Sequence, residues 1–436
     1  MLGAVFLAAY AYSVLAPGPY GTGVFLGTGA VLYALSVPWT STFHKMLAFV
    51  AFAVFGVLLL SGRFEAGEFY EGLPIYFNII AALLVLSIAG YPLRAERYEA
   101  QIRALMGAMA KKGVGVRTTA GALGHVLGAV LDVGSFVLTD VVLGRAVTKG
   151  RVEALTWAAR GFSFSPLWTN LNVFTATTIV LTGVSYPGLL AAVLPFVILG
   201  LAVTLLFAQR EKGEVNESSE TLNRGAVAVL LYPVLLVASV ALVSVLLPEF
   251  QLMVVITVTV AVIVVLIAAT AIVLLRETSP ARRLAHESRD SLVGSHAEFA
   301  LFGSAGVLVL SLEGLGALAP VGSLLSSLPP ILVAPALSLV VSLGWLVGIH
   351  VIPLILMIDT AFPLSEGPAP ALWAVAILLG AQGAILLTPF SNATTMLARL
   401  TGLHPLEIGP KTNWKFCLCV ALAGFLYLGL LTLLLL

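Results

Sequence analysis

The chain has 436 residues, of which 60% are hydrophobic and only 10% are charged, and its mean hydropathy is +1.07. Soluble domains usually carry about 25% charged residues, so this composition excludes a soluble globular protein and indicates an integral membrane protein. The formal net charge of +1 carries no information about partners, because in a membrane protein the distribution of charges among loops matters more. No nucleic-acid partner is expected.

Apolar runs of about 18 to 25 residues recur along the chain, separated by short polar breaks, and predict a single polytopic unit. The first run, 2–16, lacks a basic leader and a small-residue cleavage site, so it predicts a retained helix rather than a signal peptide. Uninterrupted spans are predicted near 2–16, 22–37, 46–61, 74–92, 189–208, 225–247, 251–275, 297–315 and 413–436.

Two polar stretches separate groups of these spans. In the stretch 94–112, Ile102, Leu105, Met106 and Met109 have helical spacing, which predicts an amphipathic helix lying on the membrane surface. The stretch 209–224 predicts a cytoplasmic linker. Cys417 and Cys419 are the only cysteines and lie in the last apolar run, where they predict neither a disulfide framework nor a metal site.

Four further segments do not fit a simple span: 119–144, 153–183, 331–361 and 371–400. The second and fourth exceed the roughly 20 residues that a bilayer needs and contain Pro, Asn and Gly in their middle, so they predict broken helices. The first and third are interpreted as re-entrant hairpins, because every Lys and Arg except Arg63 then falls on one side of the membrane. The protein is then expected in the inner (plasma) membrane, with its N-terminus cytoplasmic and its C-terminus outside.

After an extra N-terminal helix at 1–21, residues 22–208 and 225–436 show the same order of elements in opposite directions, which predicts an inverted repeat. LDVGSFV (131–137) matches WLVGIHV (345–351) and aligns Gly134 with Gly348. With a gap, the segments 165–187 and 388–405 share the order Ser/Thr-Pro, Asn, Thr-Thr, Leu-Thr-Gly, Pro. The predicted fold class is an all-α polytopic membrane protein with about eleven transmembrane helices plus two re-entrant hairpins arranged as an inverted-topology repeat.

The two broken segments predict a binding site near the middle of the membrane. Backbone groups at a helix break cannot face lipid, so such breaks persist only inside protein or beside a wet cavity. A half-helix N-terminus favours an anion, whereas the opposing carbonyl end favours a small cation such as Na⁺. The candidate residues in the breaks are Ser165, Pro166, Thr169, Asn170, Asn172, Thr388, Pro389, Ser391, Asn392, Thr394 and Thr395, and those at the hairpin tips are Gly134, Ser135, Gly348 and His350.

Single residues in these segments also have simpler explanations. Any one hydroxyl in a membrane helix often bonds only to its own backbone, and a lone His is often a satisfied structural group. Asp132 and Asp359 are candidates for proton or ion coupling, because intramembrane carboxylates are usually functional. Asp359 and Glu313 could equally lie at the outer surface. For Arg160 and Arg399, we favour side chains that extend to the membrane surface over a role in steering an anion.

Together these features resemble the ion transporter superfamily, and within it the divalent-anion:sodium symporter type. The resemblance rests on the inverted repeat with two hairpins, on the surface helix at 94–112, and on TPFSNA (388–393) followed by Gly402 and Gly409, which is similar to that family's Thr-Pro-x-x-Asn-Ala break. It implies an elevator-type mechanism. The hairpins, broken helices and the spans after them would form a mobile transport domain, and the remaining spans would form a scaffold that makes a homodimer.

The sequence therefore predicts a secondary active transporter, a symporter or antiporter, rather than an enzyme. It would move a small anionic solute across the lipid bilayer with Na⁺ or H⁺ as the coupling ion and without a cofactor. No phosphate-binding loop of the Walker type is present, which argues against direct use of ATP. Two alternatives stay open: a membrane-embedded lipid-linked transferase or ligase, and a channel. The short outer connection at 62–72 disfavours the enzyme, and two hairpins are unnecessary for a pore.

Overall fold

The computed structural model of this protein describes residues 2–90, 96–146, 150–209, 224–275, 286, 289, 295–366 and 369–436. Throughout these residues the chain is helical or turn, without a strand. Seven helices in the described ranges are long and apolar enough to cross a bilayer. The prediction of an all-α polytopic membrane protein is confirmed.

Within the described residues, ten α-helices form before the polar stretch at 209–224, of which only the two end residues are described. They are α1 (Leu2–Leu15), α2 (Pro19–Ser36), α3 (Thr42–Leu60), α4 (Ala66–Ala89), α5 (Glu96–Lys111), α6 (Val116–Leu131), α7 (Gly134–Ala146), α8 (Arg151–Phe162), α9 (Val173–Thr182) and α10 (Tyr186–Gln209).

The described part of the chain after this stretch forms nine more helices. They are α11 (Arg224–Leu246), α12 (Leu252–Leu275), α13 (His296–Gly314), α14 (Ala319–Ser327), α15 (Pro330–Leu346), α16 (Val351–Ala361), α17 (Pro370–Ile385), α18 (Asn392–Thr401) and α19 (Asn413–Leu435). The short helix α14 was not expected from the sequence, because its run of nine residues falls between two longer apolar segments. A π-helical turn, Glu407–Thr412, leads into α19.

These helices belong to two compact units, and each unit takes segments from both halves of the chain. The first unit contains α1–α4 and α12–α14, and the second contains α5–α11, α15 and α17–α19. Helix α16 is divided, with residues 351–355 in the second unit and 356–361 in the first. The compact units are therefore not the two predicted repeats, and the repeat boundaries at 22–208 and 225–436 stay a prediction.

Aromatic side chains form the core of the first unit. Phe6 of α1 lies 5.2 Å from Phe25 of α2 and 5.0 Å from Phe299 of α13, measured between ring centroids. Phe77 of α4 lies 6.1 Å from Phe25. Such offset and edge-on pairs stabilise a core beyond the area that they bury. Away from this cluster, the hydroxyl groups of Tyr33 and Ser304 share a buried hydrogen bond of 3.0 Å.

Glycines bring two helix pairs of the second unit into backbone contact. A Cβ added to Gly124 of α6 would overlap the carbonyl oxygen of Ala158 in α8, and one added to Gly161 of α8 would overlap that of Gly121. In the same way, Gly380 of α17 lies against the carbonyl oxygen of Ser338 in α15. Small residues allow this close approach in membrane proteins, where packing holds helices together. Each predicted hairpin therefore has one arm pressed against a broken helix.

Helix α5 does not present its whole apolar face to the membrane surface. Ile102 is fully buried and Met106 is 2% exposed, and α5 packs against α11 and α7 of the same unit. Lys111 and Lys112 at its end are exposed. The predicted amphipathic pattern is therefore present, but neighbouring helices cover part of the face that was expected to contact lipid. Residues 94 and 95 of the predicted surface helix lie outside the described residues.

Candidate functional site

The first broken helix is interrupted between α8 and α9, and polar side chains satisfy the freed backbone groups. The Asn172 Oδ1 atom caps α9 by accepting hydrogen bonds from the N–H groups of Phe174 (3.1 Å) and Thr175 (3.4 Å). The Thr175 hydroxyl donates to the carbonyl of Pro166. The Thr169 hydroxyl donates to the carbonyl of Ala129 in α6 at 2.9 Å. Specific side-chain hydrogen bonds therefore stabilise this break, which is not a mere local distortion of one helix.

The second broken helix is interrupted between α17 and α18 in a similar way. The Ser391 Oγ atom caps α18 by accepting from the N–H of Thr394 at 3.0 Å, and the same hydroxyl donates to the carbonyl of Ile385 at 2.6 Å. The Thr388 Oγ1 atom accepts from the N–H of Phe390 at 3.3 Å, as Thr169 accepts from Leu171 in the first break.

The two breaks correspond residue by residue, in a register that differs from the sequence comparison. Thr169 pairs with Thr388 as the bonded threonine, and the capping residues Asn172 and Ser391 pair with each other. Both second halves have 10 residues and end at a left-handed glycine, Gly183 or Gly402. The spacing is identical throughout, so this correspondence needs no gap. The sequence comparison instead paired Ser165-Pro166 with Thr388-Pro389, because the 3₁₀ turn at 165–167 repeats the Ser/Thr-Pro pattern.

The turn of each predicted hairpin lies against the break of its own half. The Asn172 Nδ2 atom donates to Asp132 Oδ1 at 3.5 Å, at the turn between α6 and α7. At the turn between α15 and α16, a Cβ added to Gly348 would lie 3.3 Å from the Phe390 ring. The turn residue of the first hairpin differs from the expectation: Asp132 has a positive φ of 49°, whereas Gly134 is simply the first residue of α7. Gly348 has the expected positive φ, at 96°.

The broken helices also pack against each other within the second unit. Helix α17 packs against α9 and the turn 165–167, and Gln382 Nε2 donates to Ser163 Oγ at 3.0 Å. Helix α18 contacts α7 and α8, and Arg151 Nη2 donates to the Leu400 carbonyl at 3.4 Å. Residues predicted to form one midplane site, although more than 200 positions apart in sequence, are thus carried by two helices that pack on each other.

Two of the candidate side chains carry buried oxygen atoms that have no hydrogen-bond partner among the described residues. Ser135 Oγ and Asn170 Oδ1 are unpartnered, and both residues are fully buried. Thr139 Oγ1, one turn after Ser135 on α7, is unpartnered as well and was missed by the sequence reasoning. Buried polar atoms in folded proteins nearly always have partners, so these oxygens are suited to contact a bound ion or water.

Solvent accessibility separates the remaining candidates. Asp132 and Asn392 are exposed, and Asn172, Gly348, His350 and Thr395 are partly exposed. The buried candidates, each at most 2% exposed, are Ser165, Thr169, Thr388, Ser391 and Thr394. A solute reaching the breaks would therefore meet the Asp132–Asn172 pair in one half and Asn392 in the other.

Several predicted side chains hydrogen-bond to backbone groups close to them in sequence. The Ser165 hydroxyl donates to its own helix at the Phe162 carbonyl (2.7 Å), and the Thr395 hydroxyl donates to the Ser391 carbonyl (3.0 Å). His350 Nδ1 lies 3.4 Å from the N–H of Ile352 and so closes its own turn. Asp359 belongs to the first unit, whereas the break residues belong to the second. Pro166 and Pro389 lie in the interruptions, and the Pro166 carbonyl accepts the hydrogen bond from Thr175.

His125 of α6 is a further buried polar residue beside the first break. Its Nδ1 atom lies 3.2 Å from the carbonyl oxygen of Gly161, and its ring centroid lies 5.9 Å from that of Trp168. The only sequence signal was a single imidazole in an apolar run, which does not distinguish a structural group from a functional one. Here it bridges the tightly packed helices α6 and α8.

No protein-family model matches the chain, and no curated protein matches it. Among solved structures, the chain is similar to the YdaH transporter of Alcanivorax borkumensis, whose crystal structure is described as revealing an unusual topology. The TM-score is 0.54 at 12% sequence identity, over 89% of this chain and 97% of that chain. At this identity the likeness shows a shared fold. The resemblance to divalent-anion:sodium symporters stays a prediction.

Proposed function

We propose that this protein is a secondary active transporter that moves a small anionic solute by elevator-type alternating access, coupled to Na⁺ or H⁺. The observation that carries the proposal is the packing of two interrupted helices against each other, with the turn of a predicted hairpin beside each break. Buried unpartnered oxygens such as Asn170 Oδ1 cost about 1 to 3 kcal/mol each, which a bound ion or water would offset. The shared fold with a transporter supports the same class.

The anion is proposed to bind at the beginning of α18. Asn392 is the first residue of this helix, its side chain is exposed, and none of its side-chain atoms bonds to a described residue. The N-terminus of a helix carries about half a positive charge, which favours an anion. The amide of Asn392 would then orient a carboxylate or similar group as the helix N-terminus attracts it.

The coupling ion is proposed to bind at the other break. The Asp132 carboxylate is exposed and lies within reach of the Asn172 amide, beside the hairpin turn. A carboxylate can hold Na⁺ through its oxygens or can take up a proton, so both ions are compatible with this pair. An ion bound between Asp132 and Asn172 would connect the turn of the first predicted hairpin to α9, because Asn172 caps that helix.

The first test measures the thermal unfolding midpoint of the purified protein with a panel of small carboxylates, with and without Na⁺ and across pH. A ligand that binds the folded state raises the midpoint by mass action. We expect one class of anion to stabilise the wild type, and Asn392→Ala to weaken its apparent affinity about tenfold or more, since hydrogen bonds to charged groups contribute about 1.5 to 3 kcal/mol. Asn78→Ala in α4, the same substitution in the first unit, should leave the affinity unchanged.

The anion so identified is then tested for counterflow into proteoliposomes, which a carrier supports and a simple pore does not. Stabilisation by no anion, or equal stabilisation of the wild type and Asn392→Ala, would contradict the proposed site. Conversion of the anion to a different product would favour the enzyme alternative.

A further inference from the structure

We propose that a groove along α8, lined by Arg160, binds the phosphate group of an anionic phospholipid at the membrane interface. The groove has a volume of about 640 Å³ and lies entirely within the second unit. Its lining includes Arg151, Val152, Glu153, Trp157, Arg160 and Thr412. This site is separate from the two breaks and does not depend on the proposed transport function.

Arg160 is held in a fixed position by neutral groups. Its Nε atom donates to Asn413 Oδ1 at 3.0 Å, and its Nη2 atom donates to the Thr412 carbonyl at 3.3 Å. The guanidinium carbon lies 4.5 Å from the centroid of the Trp157 ring and 5.5 Å from that of Phe416. The buried side chain of Asn413 is itself oriented by donating to the Ile408 carbonyl at 2.8 Å. A guanidinium pre-oriented in this way loses little conformational entropy when it binds an anion.

Arg160 forms no ion pair with a described residue, unlike Arg151 and Glu153, the other charged residues that line the groove. Arg151 forms an ion pair of 2.6 Å with Asp140, and Glu153 forms one of 2.5 Å with Arg117. Within the described ranges, no carboxylate lies within ion-pair distance of Arg160, and its Nη1 atom has no acceptor. The planar guanidinium group can form two parallel hydrogen bonds to phosphate or to carboxylate, which makes these two anions its preferred partners.

The surroundings of the groove are those of a membrane interface, which favours a lipid over a dissolved anion. Arg160 contacts the first turn of α19, the polar end of a candidate span. Beside it, Trp414 is 48% exposed and the Lys415 ammonium lies 5.5 Å from its ring. Trp and Lys mark the head-group level of a bilayer, and basic pockets between helices at this level bind anionic head groups. Exposed apolar side chains occur in the same segments of the chain, namely Val152, Leu406, Leu418 and Leu422.

The test measures the unfolding midpoint of the purified protein in detergent with added phosphatidylglycerol, phosphatidylcholine or inorganic phosphate. We expect phosphatidylglycerol alone to raise the midpoint, by on the order of 3 °C at saturation. Arg160→Gln should abolish this rise and Arg160→Lys should retain part of it. Arg399→Gln, which removes an exposed arginine elsewhere in the second unit, should leave it unchanged.

Glu153→Gln provides a second test that leaves Arg160 intact, should Arg160→Gln fail to fold. Removing this carboxylate makes the groove more positive, so phosphatidylglycerol should bind several-fold more tightly than to the wild type. An unchanged or weaker affinity in Glu153→Gln would overturn the proposal, as would an equal effect of phosphatidylcholine. An Arg160-dependent stabilisation by inorganic phosphate would assign the groove to a dissolved anion and would likewise overturn the lipid assignment.

Discussion

Asp132 combines an unfavourable backbone with an accessible carboxylate. Its φ of 49° and ψ of −135° fall in a region that is populated almost only by glycine, and it is the one described non-glycine residue with a positive φ. Holding a residue in such a region costs about 1 to 3 kcal/mol. Strain of this kind is common at functional sites, and here it places the carboxylate beside the capping residue Asn172. A glycine would adopt this backbone conformation with less strain. The presence of an aspartate therefore indicates that its carboxylate is needed.

Substitutions of Asp132 separate the backbone from the carboxylate. Asp132→Gly removes the strain, so we expect the free energy of unfolding to rise by about 1 kcal/mol while any Na⁺ or pH dependence of transport is lost. Asp132→Asn keeps the shape of the side chain and should leave stability near that of the wild type with the same loss of coupling. Thermal unfolding and ion-dependent counterflow measure the two effects. Retained ion dependence in Asp132→Asn would rule out a coupling role for this carboxylate.

The helix pairs α6–α8 and α15–α17 use the same kind of contact, with glycine on one helix against a carbonyl on the other. The contact fixes the hairpin arm against the first half of each broken helix. The hairpin turn and the break are therefore held at the same level, as the contacts of Asp132 with Asn172 and of Gly348 with Phe390 show. The pairing of hairpins with breaks is a property of whole elements rather than of single side chains.

Glycine substitutions test this packing. Gly124→Ala places a methyl group against the Ala158 carbonyl, and we expect it to destabilise the protein by about 1 to 3 kcal/mol, as overpacking usually does. Gly56→Ala in α3 is the matched control, because nothing lies within 4 Å of the added Cβ. That variant should be neutral or up to about 1 kcal/mol more stable, since alanine favours a helix. Equal unfolding midpoints for the two variants would mean that the α6–α8 contact is looser than described.

At the scale of the whole molecule, the chain passes repeatedly between its two compact units. The second unit contains both breaks, the first hairpin and the first arm of the second, together with α10 and α19. These are elements that the proposed mechanism assigns to the mobile domain, but the second unit also contains α5 and α11, and α11 was predicted to belong to the scaffold. The first unit, with the aromatic core around Phe6, is the proposed scaffold and homodimer interface.

The predicted topology is tested by labelling single cysteines in intact cells with a membrane-impermeant reagent. The background variant carries Cys417→Ala and Cys419→Ser, which remove the two native thiols. We expect Glu366→Cys to react from the outside and Arg145→Cys to react only after the cells are opened. Labelling of both positions from the same side would show that the segments 119–144 and 331–361 are not both re-entrant.

The sequence by itself determined the membrane class, the helical fold and the place of both breaks, because hydropathy and Pro, Asn and Gly act locally along the chain. It also singled out Asn172 and Ser391, although it did not identify them as helix caps. Only the tertiary structure decided that Thr169, rather than Ser165, corresponds to Thr388, and that Asp132 rather than Gly134 makes the first turn.

The same holds for the partners of polar groups. The bond from Thr169 to Ala129, the unpartnered oxygens of Ser135 and Asn170, and the fixed cation at Arg160 all depend on segments far apart in sequence. Composition and periodicity report which side chains are polar. Whether a buried hydroxyl or amide is satisfied depends on how closely two backbones approach, and glycine contacts between distant helices set that distance.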